Sequence, residues 1–114
     1  MTSGPGGPPG AASGDAAPAD QAAAPVLTRI VAISNKRGLH ARAAAKFVTM
    51  AERFGANVEV TGGDQTVSAR SIMGLMMLGA GLGAEVELRA EGWDAKEALD
   101  ALAALVESGF DEQG

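Results

Sequence analysis

Residues 35–54 of this chain read NKRGLHARAAAKFVTMAERF. From Ala41 onward, apolar side chains recur at steps of three and four residues, which predicts an amphipathic helix over about Ala41–Arg53. The predicted buried face of this helix consists of Ala44, Phe47, Val48, Ala51 and Phe54. His40 therefore falls at the helix N-terminus, directly after a loop that contains the flexible Gly38.

His40 is the only histidine of a 114-residue chain that has no cysteine and no tyrosine. At the start of a helix, unpaired backbone N–H groups and the positive end of the helix dipole favour an anion. Arg37 and Arg42 lie close enough in sequence to bind the same anion. A histidine at this position is more often a weak cap or an exposed bystander, so these residues by themselves indicate phosphate chemistry only weakly.

Two motifs resemble those of the HPr family, the histidine phosphocarriers of the phosphoenolpyruvate-dependent phosphotransferase system. Residues 38–44, GLHARAA, resemble the active-site signature of that family. Residues 71–80, SIMGLMMLGA, resemble its regulatory-serine segment and lie at the expected distance downstream, with no gap needed. The resemblance covers about residues 26–108.

The resemblance implies that phosphoenolpyruvate is the original phosphoryl donor, that enzyme I phosphorylates His40 on Nδ1, and that an enzyme IIA-type protein is the acceptor. Arg42 matches the arginine of the motif, and its implied role is to engage the phosphoryl group during transfer. Two positions depart from the family pattern. Ala43 replaces a proline that would stiffen the first helical turn, and Arg37 replaces a small polar residue. We expect a slightly looser but intact site, with an added charge that bears on partner preference.

Ser71 has a structural and a functional interpretation. Serine is a favoured N-cap, so we predict a short helix over about Ile72–Leu78 that begins after Ser71. The resemblance implies that Ser71 is also a regulatory residue, phosphorylated by an HPr kinase/phosphorylase. A phosphate would add about −1.5 to −2 charge beside the docking face, which should weaken contact with an acidic partner.

The segment after Ser71 is too apolar for a two-turn helix with one buried face. If Leu75 and Leu78 point inward, then Ile72, Met73 and Met76 lie outside. A stripe of methionine belongs to the core more often than to the surface. We nevertheless predict an adaptable docking surface for partner proteins beside the histidine. Its predicted residues are Ala41, Ile72, Met73 and Met76.

The remaining pattern predicts the element order strand, helix, strand, strand, helix, strand, helix. The predicted strands are Leu27–Ile33, Asn57–Thr61, Thr66–Arg70 and Glu85–Ala90, and the first of them is expected to be apolar on both faces apart from Thr28 and Arg29. The last helix is predicted to begin with a capping box of Asp94 and Glu97 and to end at Gly109. Half-polar alternation predicts an α+β fold, an antiparallel sheet with one wet face and helices on the other. The resemblance implies an HPr-like open-faced β-sandwich: a four-stranded antiparallel sheet covered on one face by three helices.

Length and composition indicate one domain with a tail at each end. Residues 1–25 contain all five prolines and no Lys or Arg, and we predict that they are a disordered tail. The domain is predicted to span residues 26–109, followed by a C-terminal tail over 110–114. The chain has no cysteine, no recognisable targeting segment and no apolar stretch of membrane-spanning length. We expect a cytoplasmic monomer that does not insert into a membrane.

Charge divides along the chain. Residues 26–84 carry seven basic and three acidic side chains, whereas residues 85–114 carry two basic and nine acidic ones. The surroundings of His40 therefore favour anions and acidic protein surfaces, and the scarcity of stacking aromatics argues against a nucleic-acid partner. The sequence has no metal-ligand cluster, no nucleotide-binding loop and no second acid or base. We expect a carrier without metal or cofactor that catalyses nothing by itself.

Two functional questions stay open at this point. Within the carrier function, sugar uptake competes with nitrogen-related regulation, and the lead-in 35–38 and the missing proline favour the nitrogen-related branch. The alternative function is an HPr-like binding regulator that no longer transfers phosphate and acts through Ser71, Met73 and Met76. Loss of the histidine would have indicated that alternative, and His40 is present.

Overall fold

The computed structural model describes residues 26–112, so the predictions for 1–25 and for the last two residues lie outside the described part. Four strands and three helices follow the predicted order. In chain order they are β1 (Val26–Ala32), α1 (Ala41–Ala51), β2 (Asn57–Gly62), β3 (Gln65–Ser68), α2 (Ile72–Met77), β4 (Glu85–Glu91) and α3 (Ala95–Glu107).

The strands form one sheet in the order β1-β4-β2-β3, and each neighbouring pair is antiparallel. β4 is central, since Ala90 lies opposite Leu27 on one side and Val58 on the other. The three helices cover one face, where the inward side chains of β4 and β2 are buried. The predicted α+β fold, a four-stranded antiparallel sheet under three helices, is confirmed.

The open face of the sheet is rich in carboxylates. Alternation along β4 buries every second residue and turns the others away from the helices. The outward side chains of β4 and β2 include Glu59, Glu85, Glu87, Arg89 and Glu91. Arg89 lies 4.0 Å from Glu59 across the two strands. This surface is named the acidic face below.

β1 differs from its prediction as a strand that is apolar on both faces. It is an edge strand in which Val31 is the buried residue, and Ile30 is 64% exposed on the open face. Arg29 lies on the helix side, where its Nη1 donates to Asp100 of α3 at 3.1 Å. β1 therefore does not have two buried apolar faces. One face is exposed to solvent, and the helix side includes the ion pair between Arg29 and Asp100.

The predicted capping box at the start of α3 is wrong. Asp94 is the N-cap residue, but its side chain makes no cap hydrogen bond. Its carboxylate instead accepts from the backbone N–H of Gly55 at 2.9 Å and of Ala56 at 2.8 Å, and the residue is 5% exposed. Asp94 therefore ties the loop between α1 and β2 to the start of α3.

The chain remains packed beyond residue 109, where the sequence placed the start of a tail. The N–H groups of Gly109 and Phe110 donate to the carbonyls of Val106 and Leu105, the bond pattern of a Schellman C-cap. Phe110 is fully buried, and Lys46 Nζ donates to its carbonyl oxygen at 2.7 Å. The body accordingly includes the first residues after α3.

Candidate functional site

His40 is the N-cap residue of α1, as predicted from the pattern, with extended backbone angles of φ −74° and ψ 176°. The loop before it is pressed against another loop of the chain. Leu39 N–H donates to the carbonyl of Ala80 at 3.0 Å. Gly38 has φ +66°, and a Cβ at this position would lie 2.4 Å from the same carbonyl oxygen. Only glycine fits this contact, so the loop that delivers His40 is fixed by close packing.

Both nitrogens of the His40 ring have partners. Nδ1 accepts from the backbone N–H of Arg42 at 3.3 Å, in the first turn of α1. Nε2 contacts a carboxylate oxygen of Glu112. Because a carboxylate can only accept, this arrangement assigns the proton of the neutral ring to Nε2 and leaves the Nδ1 lone pair toward the helix N-terminus.

Glu112 and Asn35 are site residues that the sequence reasoning missed. Asn35 Nδ2 donates to Glu112 at 3.1 Å and to the carbonyl of Gly38 at 2.9 Å. Asn35 is 6% exposed, and its Oδ1 has no hydrogen-bond partner among the described residues. The hydrogen bond from His40, then that from Asn35, hold the pKa of Glu112 below its ordinary value, with a further contribution from Arg37. The sequence contains one signal for the position of Glu112: the apolar Phe110 after Gly109 indicates that the chain remains packed against the domain beyond the last helix.

Basic side chains follow the exposed side of α1. Arg42, Lys46 and Arg53 line an open groove of about 340 Å³ that Leu105 and Asp111 close on the other side. The side chain of Arg42 is exposed and forms no ion pair within residues 26–112. It is therefore free to meet an anion that approaches the N-terminus of α1.

Ser71 is the N-cap of α2. Its Oγ accepts from the backbone N–H of Gly74 at 2.9 Å, which matches the structural interpretation made from the sequence. A Cβ at residue 74 would lie 3.0 Å from this Oγ, so the turn is tightly closed. Any modification of the hydroxyl must give up or share this hydrogen bond.

The helix α2 exposes most of its apolar side chains. Leu75 is fully buried, whereas Ile72 is 41%, Met73 73% and Met76 42% exposed. Met77, which the sequence did not single out, is 67% exposed. These four exposed residues are named the apolar patch. α2 packs against α1, and Ala41 at the start of α1 is exposed as well. The core-methionine alternative therefore does not describe this helix.

In residues 26–112, no three His, Cys, Asp or Glu side chains are grouped so that they could hold a metal ion. Among the helices of the described part, none is long and apolar enough to cross a membrane.

Comparison with known proteins gives consistent matches over the body of the chain. Residues 27–108 match the family model described as the PTS HPr component phosphorylation site. The phosphocarrier protein NPr of Shewanella violacea is 48% identical over 86 residues, which cover 75% of this chain and 94% of that protein. The phosphocarrier protein HPr of Cupriavidus necator is 47% identical over 87 residues, covering 76% and 98%. The crystal structure of HPr-C-His from Thermoanaerobacter tengcongensis aligns with a TM-score of 0.73 and 45% identity, covering 77% of this chain and 99% of that one.

Proposed function

Because this chain belongs to the HPr family and is a phosphocarrier of the phosphotransferase system, we propose that His40 carries the phosphoryl group. Enzyme I, itself phosphorylated by phosphoenolpyruvate, donates the group to Nδ1, and an enzyme IIA-type protein receives it. The chain acts between these proteins as a covalent intermediate and needs no cofactor.

The observation that carries this proposal is the orientation of the His40 ring. Nδ1 accepts from the N–H of Arg42 at 3.3 Å, while Nε2 is covered by Glu112. A phosphoryl group on Nδ1 would lie where the first turn of α1 presents backbone N–H groups and the positive end of the helix dipole. The same surroundings would disfavour attack by Nε2.

The charges around His40 suit a group that must be passed on. Arg42 and Arg37 are exposed, and an exposed guanidinium orients a phosphoryl group through paired hydrogen bonds without enclosing it. We assign to Arg42 the positioning of the phosphoryl group during transfer. In the transfer step, the Nδ1 lone pair forms the new N–P bond as the donor's P–N bond breaks and its electron pair returns to the donor nitrogen.

The apolar patch and Ala41 form the proposed docking surface for both partners. Methionine side chains are flexible and polarizable, so one surface can adapt to two different proteins. We further propose that an HPr kinase/phosphorylase modifies Ser71. The phosphate would add about −1.5 to −2 charge at the edge of this surface and would repel an acidic partner.

The identities of 48% to an NPr and 47% to an HPr are too similar to favour one branch. The proposal therefore covers an acceptor in sugar uptake or in nitrogen-related regulation. The second candidate, a binding regulator without phosphoryl transfer, is supported by one observation, the exposure of Met73 and Met76.

The decisive experiment is the intact mass after incubation with phosphoenolpyruvate and enzyme I. We expect one acid-labile phosphoryl group on the wild type and none on His40→Ala. Ser71→Ala is the matched control, because it removes the other proposed modification site and should still accept one group. Equal uptake by His40→Ala would overturn the assignment, and no uptake by the wild type from several enzyme I sources would favour the binding regulator.

A further inference from the structure

We propose that Glu112, held by Asn35, is a positioning residue for phosphoryl transfer: it keeps the proton of neutral His40 on Nε2 and so presents the Nδ1 lone pair to the donor. This inference rests on the proposed function of His40 as the phosphoryl acceptor. It assigns a role in the reaction to the segment after α3.

The three side chains form a connected chain of hydrogen bonds. Asn35 Nδ2 donates to Glu112 Oε1 at 3.1 Å and is itself fixed by a bond of 2.9 Å to the carbonyl of Gly38. Glu112 Oε2 faces His40 Nε2. Since each carboxylate oxygen is thus assigned to one donor, the ring nitrogen opposite Oε2 must carry its proton. A carboxylate behind the histidine fixes a tautomer in the same way at many other histidine sites.

The segment that carries Glu112 is held in one conformation. Gly109, Phe110 and Asp111 have successive φ values of 70°, 58° and 60°, which are left-handed. Such backbone is unfavourable for a phenylalanine and persists only where the surroundings enforce it. Burial of Phe110 and the bond from Lys46 to its carbonyl supply that constraint. The Glu112 N–H then donates to the carbonyl of Gly109 at 3.1 Å, which closes the turn toward His40.

The tautomer decides whether transfer needs a base. With the proton on Nε2, the Nδ1 lone pair attacks phosphorus, the donor bond breaks, and no proton moves. The phosphorylated ring keeps its Nε2 proton and becomes cationic, and the Glu112 carboxylate balances this charge. With the proton on Nδ1, that nitrogen would first have to lose it to a base.

Basic residues near His40 in the sequence increase the need for a negative charge beside the phosphorylated ring. Arg37 and Arg42 flank His40 in sequence, and Lys46 lies one turn further along α1. All three carry positive charge, which adds to that of the phosphorylated cationic ring. Among the described residues, Glu112 is the acidic side chain in direct contact with the ring.

The test compares Glu112→Gln with Asp111→Asn in the full-length protein. In Glu112→Gln, the side-chain amide oxygen of residue 112 still accepts from Asn35, so the amide NH₂ group faces His40 Nε2. Because that NH₂ group donates, Nε2 must accept, and the ring proton is favoured on Nδ1. Asp111→Asn removes the same charge from the adjacent residue, whose side chain forms no hydrogen bond or ion pair within residues 26–112. Asparagine tolerates the left-handed backbone at this position.

Two readouts apply to each protein. Long-range ¹H–¹⁵N correlation of the His40 ring at about pH 8.5, where histidine is neutral, reports the tautomer directly. Rapid-quench measurement with phosphorylated enzyme I reports the transfer rate. We expect the wild type and Asp111→Asn to carry the proton on Nε2. We expect Glu112→Gln to shift the proton toward Nδ1 and to lose about 10- to 100-fold in rate.

The proposal is overturned if neutral wild-type His40 carries its proton on Nδ1, whatever the variants do. It is also overturned if Glu112→Gln keeps both the wild-type tautomer and the wild-type rate. In either case the acceptor assignment stands as long as His40→Ala takes up no phosphoryl group. Uptake by His40→Ala would instead refute the proposed function itself.

Discussion

Replacing Gly38 or Gly79 by alanine separates the effect of backbone conformation from that of close packing. The two glycines have nearly equal left-handed φ values, 66° and 63°. A Cβ at residue 38 would lie 2.4 Å from the carbonyl oxygen of Ala80 and 2.8 Å from the Cα of Gly81, whereas a Cβ at residue 79 would meet nothing within 4 Å. The two positions are therefore matched in backbone conformation but differ in the space available for a Cβ atom.

The expected magnitudes follow from these contacts. A left-handed alanine costs about 1–2 kcal/mol, which is the full loss expected for Gly79→Ala. Gly38→Ala adds an overlap with backbone atoms that cannot rotate away, and overpacking of this kind costs about 1–3 kcal/mol more. The free energy of unfolding should thus fall by about 2–5 kcal/mol in Gly38→Ala. The same Ala80 carbonyl accepts from Leu39, so relief of the overlap also displaces the residue before His40.

Urea unfolding followed by circular dichroism gives both free energies, and the transfer rate from enzyme I is measured where both variants are folded. We expect Gly79→Ala to transfer at the wild-type rate and Gly38→Ala to transfer more slowly. Equal destabilisation of the two variants would refute the reasoning, because backbone conformation alone would then explain the loss. A wild-type rate in Gly38→Ala would show that the packed loop does not position His40.

Three further outcomes are expected. Asp94→Ala should lower the free energy of unfolding by about 2–4 kcal/mol in urea titration, because the buried N–H of Ala56 and the partly buried N–H of Gly55 both lose a charged partner. Glu97→Ala should change it by less than about 0.5 kcal/mol, and comparable losses would restore the capping box. Ser71→Asp should keep the N-cap and slow transfer from enzyme I, while the neutral cap Ser71→Asn should not, and equal rates would argue against an acidic partner at the apolar patch. The contribution of Glu112 to stability should be fully present above the ordinary carboxyl pKa of 4.5, and it should be lost as pH falls through the lowered folded-state pKa of this carboxyl. Urea midpoints over the acid range should therefore fall further in the wild type than in Glu112→Gln, which retains Asp100 and its lowered pKa; equal falls would contradict the assignment.

The sequence predicted the parts of the fold that depend on local periodicity. The element order, the buried face of α1 and the position of His40 as its N-cap all follow from residues within a few positions of one another. The contacts that sequence reasoning missed join distant segments. Asp94 binds backbone 38 residues earlier, and Glu112 reaches His40 across 72 residues. No periodic pattern encodes such pairs, because each needs the packed core to bring its ends together.

The edge strand β1 shows a second limit of prediction from sequence, which concerns the burial of its side chains. β1 contains enough β-branched residues to indicate a strand, yet its neighbours decide which face is covered. The helices cover the face to which Val31 points, so the alternation along this edge strand leaves Ile30 on the open face. Burial at a sheet edge depends on strand order, which composition does not determine.

The acidic face also has a consequence for how partners meet this protein. It lies on the side of the sheet away from the helices, whereas Arg42 and Lys46 line the groove along α1 and Arg37 is exposed in the loop before His40, so charge is distributed unevenly over the molecule. An acidic partner that diffuses toward it is repelled on one side and attracted on the other, and the carrier is turned before contact. Salt screens the electrostatic force that turns the carrier, and at physiological ionic strength this force acts over about 8 Å. A carrier that must meet two proteins in turn then presents its reactive end to each of them without searching every orientation.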